Sequence, residues 1–242
     1  MLSGVIFESG GCRLLGRFYR ADGEGPHPTL VMAHGIAGVE LNLDLADALR
    51  DAGWNVLVFH YRGCWGSEGF YRLTTLAEDI RAAVDWALAQ PAVDLHRLVL
   101  LGYSIGGWAA VLAAAQDPRP FALITLSTVS DLRAWAPDEA MLADWVRFMK
   151  GMTVERLRED LQACAEGLQP VEVVDRLSPR PLLIVHGTAD PVVHHRQSLA
   201  LHHRAGLNTD LALIDGGDHR YTGRRRAMIQ RIQRWLEQIR ST

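Results

Sequence analysis

Lysine is nearly missing. It occurs once, at Lys150, in a chain of 242 residues with 25 basic and 28 acidic residues. Arginine supplies the rest of the positive charge, and the net charge of -3 leaves no overall field to draw in nucleic acid or an anionic membrane. Cysteine is scarce as well. Cys12, Cys64 and Cys164 are odd in number, far apart and without a CxxC pair, which excludes a disulfide scaffold or a cysteine-based zinc site and predicts a reducing, cytoplasmic compartment. The first twenty residues, MLSGVIFESGGCRLLGRFYR, lack the unbroken apolar stretch of an export signal, and none is expected. Residues 98–115 form an uncharged run of eighteen, LVLLGYSIGGWAAVLAAA, but three glycines in six residues break its centre. A short strand, a glycine turn and an alanine-rich helix account for it better than a membrane span. From Arg220 onward seven arginines face one glutamate, yet Ile229, Ile232, Leu236 and Ile239 recur at helical spacing. That pattern predicts an amphipathic helix docking its apolar side, not a nucleic-acid patch.

What is present is an ordinary globular composition, 48% apolar and 22% charged, with enough chain for one domain over 1–242. Strand-like and helical runs alternate. A strand pair (Val5 to Phe7, Leu14 to Tyr19) precedes the strand TLVMAHG. A helix follows with Leu41, Leu45, Ala48 and Leu49 on one face and Gly53 as its stop, then the strand WNVLVFHY. Next come a helix across Thr75 to Ala89, a strand at Arg97 to Leu101, a helix from Ile105 to Gln116 and a strand at Phe121 to Leu126. The class is α/β, a mainly parallel sheet with helices on both faces. Between Ser127 and Ser178 no strand-like run occurs. One helical pattern there holds Met141, Leu142, Trp145, Phe148 and Met149, and another runs from Val154 to Cys164. A helical insertion over 128–178 on a parallel sheet is expected to act as a lid. The alternation then resumes with PLLIVHG, a helix from Gln197 to Ala205, LALID and the C-terminal helix.

LVLLGYSIGG places Gly102, Ser104 and Gly106 as G-x-S-x-G between a β-rich run and an Ala-rich helix, the context that makes this motif specific. A serine on a sharp strand-to-helix turn needs small neighbours, and its hydroxyl then stands at the strand's C-terminal end. The helix starting at Ile105 aims backbone N–H groups at the same spot, which suits an oxyanion. Serine needs a base, and the base an orienting acid. Both should follow later strands. Asp190 follows PLLIVHGTA and His219 follows LALIDGGD.

HGIAG, HYRGCWGSEG, GYSIGG, HGTADPVV and GGDHRYT together resemble the α/β-hydrolase superfamily over Thr29 to Ile239. Within it the chain is similar to compact serine esterases, dienelactone-hydrolase-like and acyl-peptidase-like enzymes, although dienelactone hydrolases proper carry cysteine where Ser104 stands. The resemblance implies a triad of Ser104, Asp190 and His219; it also offers Asp131, in STVSD, since some members place the acid after the strand that follows the elbow helix, but favours Asp190 because HGTADPVV matches the usual acid loop. It implies that His34 and Gly35 open the oxyanion loop, so that the N–H groups of Ile36 and Ile105 bind the oxyanion. His34 itself is expected to shape that loop. His60 stands where the family commonly has aspartate, and Arg62 is expected to anchor its loop by hydrogen bonds and an ion pair. Cys64 is read as packing.

Six of the ten histidines fall between His186 and His219. His194 and His195 are adjacent, and His202 and His203 lie two helical turns on, roughly 10–12 Å away, so the spacing does not suit a zinc site and no metal or other cofactor is expected. His186 reads as leading into the acid loop, and the other four as helix-start and helix-surface residues. The expected activity is carboxylesterase, on a small-molecule ester and with no nucleic-acid or membrane partner. A peptidase or amidase on short peptides is the rival within enzymes, and a non-catalytic small-molecule-binding protein the rival outside them.

Overall fold

A computed structural model describes residues 1–36 and 42–240. Among them eight strands form one sheet in the order β1-β2-β4-β3-β5-β6-β7-β8. These are β1 (Leu2–Ser9), β2 (Cys12–Tyr19), β3 (His27–Ala33), β4 (Asn55–Phe59), β5 (Val93–Tyr103), β6 (Ala122–Leu126), β7 (Leu182–Gly187) and β8 (Thr209–Ile214). The β1–β2 and β2–β4 pairings are antiparallel and all the others parallel. The helices are α1 (Leu43–Asp51), α2 (Leu76–Leu88), α3 (Ile105–Gln116), α4 (Glu139–Val146), α5 (Val154–Glu166), α6 (Pro170–Val173), α7 (Arg196–Arg204) and α8 (Arg225–Arg240).

The period of two in each central strand divides the core. In β4, Leu57 and Phe59 enter the cluster on one face, with α2, α3 and the helical segment between β6 and β7. Val56 and Val58 enter the cluster on the other face with α1 and α8. The helix α8 docks as its spacing predicts, with Ile232 and Leu236 buried and Ile229 and Ile239 partly so. Gly53, at φ 85°, follows α1 in the left-handed backbone that glycine adopts without strain. Leu41, placed by sequence on that helix's apolar face, lies outside the described residues.

Several elements differ from the pattern read in the sequence, among them β1, which runs over Leu2–Ser9 and not only Val5 to Phe7. The strand β5 is longer than the apolar run, reaching back to Val93 and forward to Tyr103. The helix α4 ends at Val146, so Phe148 and Met149 leave it in tight turns, Phe148 N–H bonding Trp145 O at 3.1 Å. The next N–H, of Lys150, is taken by Gly63 O on another loop at 2.8 Å, an attraction no local pattern encodes.

Register brings the strand ends into line. Tyr103 pairs with Leu126, Leu126 with Val185, and Gly187 with Ile214. Whatever follows β5, β6, β7 and β8 therefore meets at one edge of the sheet.

Candidate active site

Ser104 sits between the last residue of β5 and the first of α3 with φ 54° and ψ −122°, a conformation rarely adopted by residues other than glycine. The turn closes only because its neighbours are glycines. A Cβ on Gly106 would lie 2.3 Å from the carbonyl oxygens of Ala33 and His34, and one on Gly107 would overlap Thr128 Oγ1 at 1.5 Å. The hydroxyl of Ser104 donates to His219 Nε2 at 3.1 Å, and His219 Nδ1–H donates to Asp190 Oδ2 at 2.7 Å. A serine, a histidine and a carboxylate that are distant in the chain thus form one hydrogen-bonded line.

Asp190 is buried, and each of its oxygens is engaged. Oδ1 accepts the N–H groups of Val192 and Val193, both at 2.9 Å, and Oδ2 lies 3.2 Å from His186 Nε2 as well as against His219. Burial alone would raise its pKa, but the hydrogen bonds from His186 and His219 and the Val193 N–H outweigh it and hold the carboxyl well below the usual range. Asp131 points elsewhere. Its carboxylate takes the backbone N–H of Arg133 and pairs with that residue's guanidinium at 2.8 Å.

Gly35 approaches Ser104 closely, since a Cβ on it would lie 3.1 Å from the serine Cβ, and Ile36 lines the same cavity as Ser104 and His219. Ile105 opens α3, where a backbone N–H has no carbonyl four residues back to bond. His34 is fully buried. Its Nδ1–H donates to Gly35 O at 2.8 Å and its Nε2 accepts from Tyr61 N–H at 3.4 Å, while burial pushes its pKa down to about 3. The His60 ring lies 5.7 Å from that of His34, also lowered by burial, to about 4, and its buried Nδ1 has no hydrogen-bond partner among the described residues. Arg62 holds its loop through Asp79 Oδ1 at 2.7 Å and Glu78 at 2.5 Å. Cys64 is buried, which raises its thiol pKa far from reactivity.

Ser104 and His219 open into a cavity of about 260 Å³ that Ile36, Met141, Trp145, Phe148 and Val192 make largely apolar, with Asp144 and Arg220 as its charged members. Met141 and Trp145 come from α4. Trp145 stacks on Trp135, whose indole N–H donates to Val192 O at 2.8 Å, so the helical segment is tied to the loop that carries Asp190.

Sequence reasoning gave His186 no contact with the acid, yet it is buried against Asp190 and Ser198, with Nδ1 2.6 Å from the Ser198 hydroxyl. Two tyrosines were not singled out. Tyr103 donates to His219 O at 3.0 Å, and Tyr221 donates to Val185 O at 3.1 Å while accepting from Ser127 Oγ at 3.0 Å, pinning the histidine loop to the sheet. The aromatic ring before the serine and the one just after the histidine were the available signals. His194, His202 and His203 are exposed and His195 half-buried, around the start and along the surface of α7. Among the described residues no group of three or more His, Cys, Asp or Glu is arranged to hold a metal ion.

The sequence profile of the prolyl oligopeptidase family matches residues 43–241. Uncharacterized protein Rv2307c of Mycobacterium tuberculosis is 32% identical over 190 residues, 78% of this chain and 62% of that protein. The chain thus matches less than two thirds of that relative's length. Uncharacterized protein YfhR of Salmonella typhimurium is 30% identical over 213 residues, 85% of this chain and 71% of its own. Among solved structures, the α/β hydrolase GrgF from Penicillium sp. sh18 superposes with a TM-score of 0.79 at 19% identity, covering 98% of both chains. Est1E from Butyrivibrio proteoclasticus, with ferulic acid bound, does so with a TM-score of 0.80 at 19% identity, covering 98% of this chain and 100% of its own. At such identities the likeness shows the fold, that of an α/β hydrolase. No helix among the described residues is long and apolar enough to cross a membrane.

Proposed function

This chain belongs to the prolyl oligopeptidase family of α/β hydrolases, and from that premise we propose that it is a serine carboxylesterase working through an acyl-enzyme. The observation that carries the reading is the line from Ser104 Oγ through His219 to Asp190, at 3.1 and 2.7 Å, opening into an apolar cavity. His219 Nε2 takes the proton of Ser104 as Oγ attacks the ester carbonyl. Asp190 holds Nδ1–H and so fixes the ring and stabilises the imidazolium. The N–H groups of Ile36 and Ile105 receive the oxyanion, and the loss of one such donor costs about 3–4 kcal/mol in comparable sites. The imidazolium then protonates the leaving alkoxide. Water, giving its proton to the same Nε2, attacks the acyl-serine, and the imidazolium returns that proton to Ser104 Oγ as the acid leaves. Met141, Trp145 and Phe148 favour an apolar acyl or alcohol group, with the helical segment between β6 and β7 serving as the lid.

The family's peptidase character favours one second reading, amide hydrolysis on short peptides by the same residues. Labelling with a fluorophosphonate, followed by para-nitrophenyl esters of increasing chain length beside aminoacyl anilides, separates the two. Native protein is expected to label and to prefer esters, with Ser104→Ala inert. Absence of labelling in the native protein sinks both readings, and faster anilide turnover replaces the first by the second.

A further inference from the structure

Next to the cavity at Ser104 lies a second one of about 440 Å³, lined by Trp65, Ser67, Glu68, Arg147, Phe148 and Lys150. Phe148 is a wall of both. The second depression is built rather than incidental. Its two sides, the loop after β4 and the turn after α4, are stitched by main-chain hydrogen bonds, Lys150 N–H to Gly63 O at 2.8 Å and Tyr71 N–H to Lys150 O at 3.3 Å. Trp65 is 59% exposed and sits at φ 45°, a backbone conformation unfavourable for a bulky residue. An indole held out to solvent in that conformation is not there for core packing. Its ring lies 6.2 Å from that of His60, tilted by 31°.

The charge around this indole is mixed, with Arg147 and Lys150 beside the Glu68 carboxylate, which Lys150 helps to keep ionised. Glu68 is already engaged by Arg13, whose backbone N–H and Nε each donate to it at 2.9 Å. Among the described residues the one ion pair of Arg147 is with Asp144, at 3.5 Å between two exposed side chains, a contact too weak to hold it. Lys150, the single lysine of the chain, rests its ammonium 5.4 Å from the Phe70 ring centroid, and Glu68, the carboxylate that feels its charge, is hydrogen-bonded to Arg13.

We infer that this depression is a second substrate subsite, adjoining the Ser104 cavity across Phe148, and that it takes an aromatic ring bearing a carboxylate. The ring lies against the Trp65 indole and the Phe148 edge, and the carboxylate meets Lys150 and Arg147. No covalent step occurs there. The subsite deepens the hydrolase reading and rests on it, because it gives the enzyme a substrate class: esters with an acidic aryl group some distance from the scissile bond.

The test separates binding from turnover by using the intact chain with Ser104→Ala and titrating it calorimetrically with naphthalene carboxylate and with the uncharged naphthalene carboxamide. The carboxylate is expected to bind about tenfold more tightly than the carboxamide. Adding Trp65→Gly, in which glycine takes the left-handed backbone without strain, or Lys150→Met, which keeps the apolar stem, is expected to weaken the carboxylate about tenfold with the melting temperature held. Equal affinity for the two ligands overturns the inference. So does a loss of binding that follows Arg220→Gln instead of Lys150→Met, which would put the ring in the Ser104 cavity. Hydrolysis of para-nitrophenyl acetate by the unsubstituted chain is read separately, so failure of the esterase reading is seen apart from failure of the subsite.

Discussion

At the scale of single residues, environment separates two aspartates that the sequence left in competition. Asp190 is buried with both oxygens engaged and faces His219, whereas Asp131 caps a turn and pairs with Arg133. Replacing Asp190 by asparagine keeps the shape but sets an amide against the imidazole, so the ring loses the tautomer that accepts the serine proton. For Asp190→Asn a fall in kcat of about ten-thousandfold is expected, the size of that loss in a comparable triad. Asp131→Asn should stay within about threefold of native, since it removes only an ion pair at the surface. Steady-state ester hydrolysis by the two variants checks both, and equal losses would undo the assignment. His186 belongs to the same scale: it lies against Asp190 from inside β7, where a water molecule or an apolar residue would leave the carboxylate less completely bonded.

At the scale of elements, the strand-turn-helix around Ser104 holds its shape by close approach of backbones. Gly107 faces Thr128, two residues past β6, so tightly that a methyl group would overlap the hydroxyl. Gly107→Ala is therefore expected to destabilise the protein by about 1–3 kcal/mol, the range for overpacking, and to displace Ser104 from His219. Urea unfolding measures the first effect and fluorophosphonate labelling rate the second, and a variant of native stability and rate would contradict the packing argument. The sequence made this element legible because each of its requirements is local: an apolar strand run, three glycines, an Ala-rich helix from Ile105 to Gln116. The end of α4 was not legible, since it is decided by Gly63 O capturing the Lys150 N–H across the fold. For the same reason the tyrosine contacts and the approach of His186 to Asp190 could be seen only once β5, β7 and the loop after β8 were assembled.

At the scale of the whole molecule, the two faces of the sheet are almost wholly apolar, and the imidazoles of His34 and His60, near Ile36, are kept uncharged by burial. His34 has its pKa pushed from 6.5 to about 3, and His60 to about 4, both chiefly by burial. The sign follows directly. Between 6.5 and those values the unfolded chain binds protons that the folded chain refuses, so acid favours unfolding. Stability is full above 6.5 and falls below it, by about 1.4 kcal/mol per pH unit for each ring, until pH reaches the folded values and the loss ends. Asp190, whose pKa is lowered from 3.8, gives up its own contribution only as pH drops below that point, so its window overlaps that of the histidines only at the acid end of the His34 range. Denaturant unfolding at pH 7, 6 and 5 should accordingly show a steady decline, and His60→Phe should make that decline shallower by removing one of the rings that burial keeps neutral. A native protein equally stable at pH 7 and pH 5 would mean that the two histidines are not held neutral by the fold, and that the loop carrying Ile36 is supported in some other way.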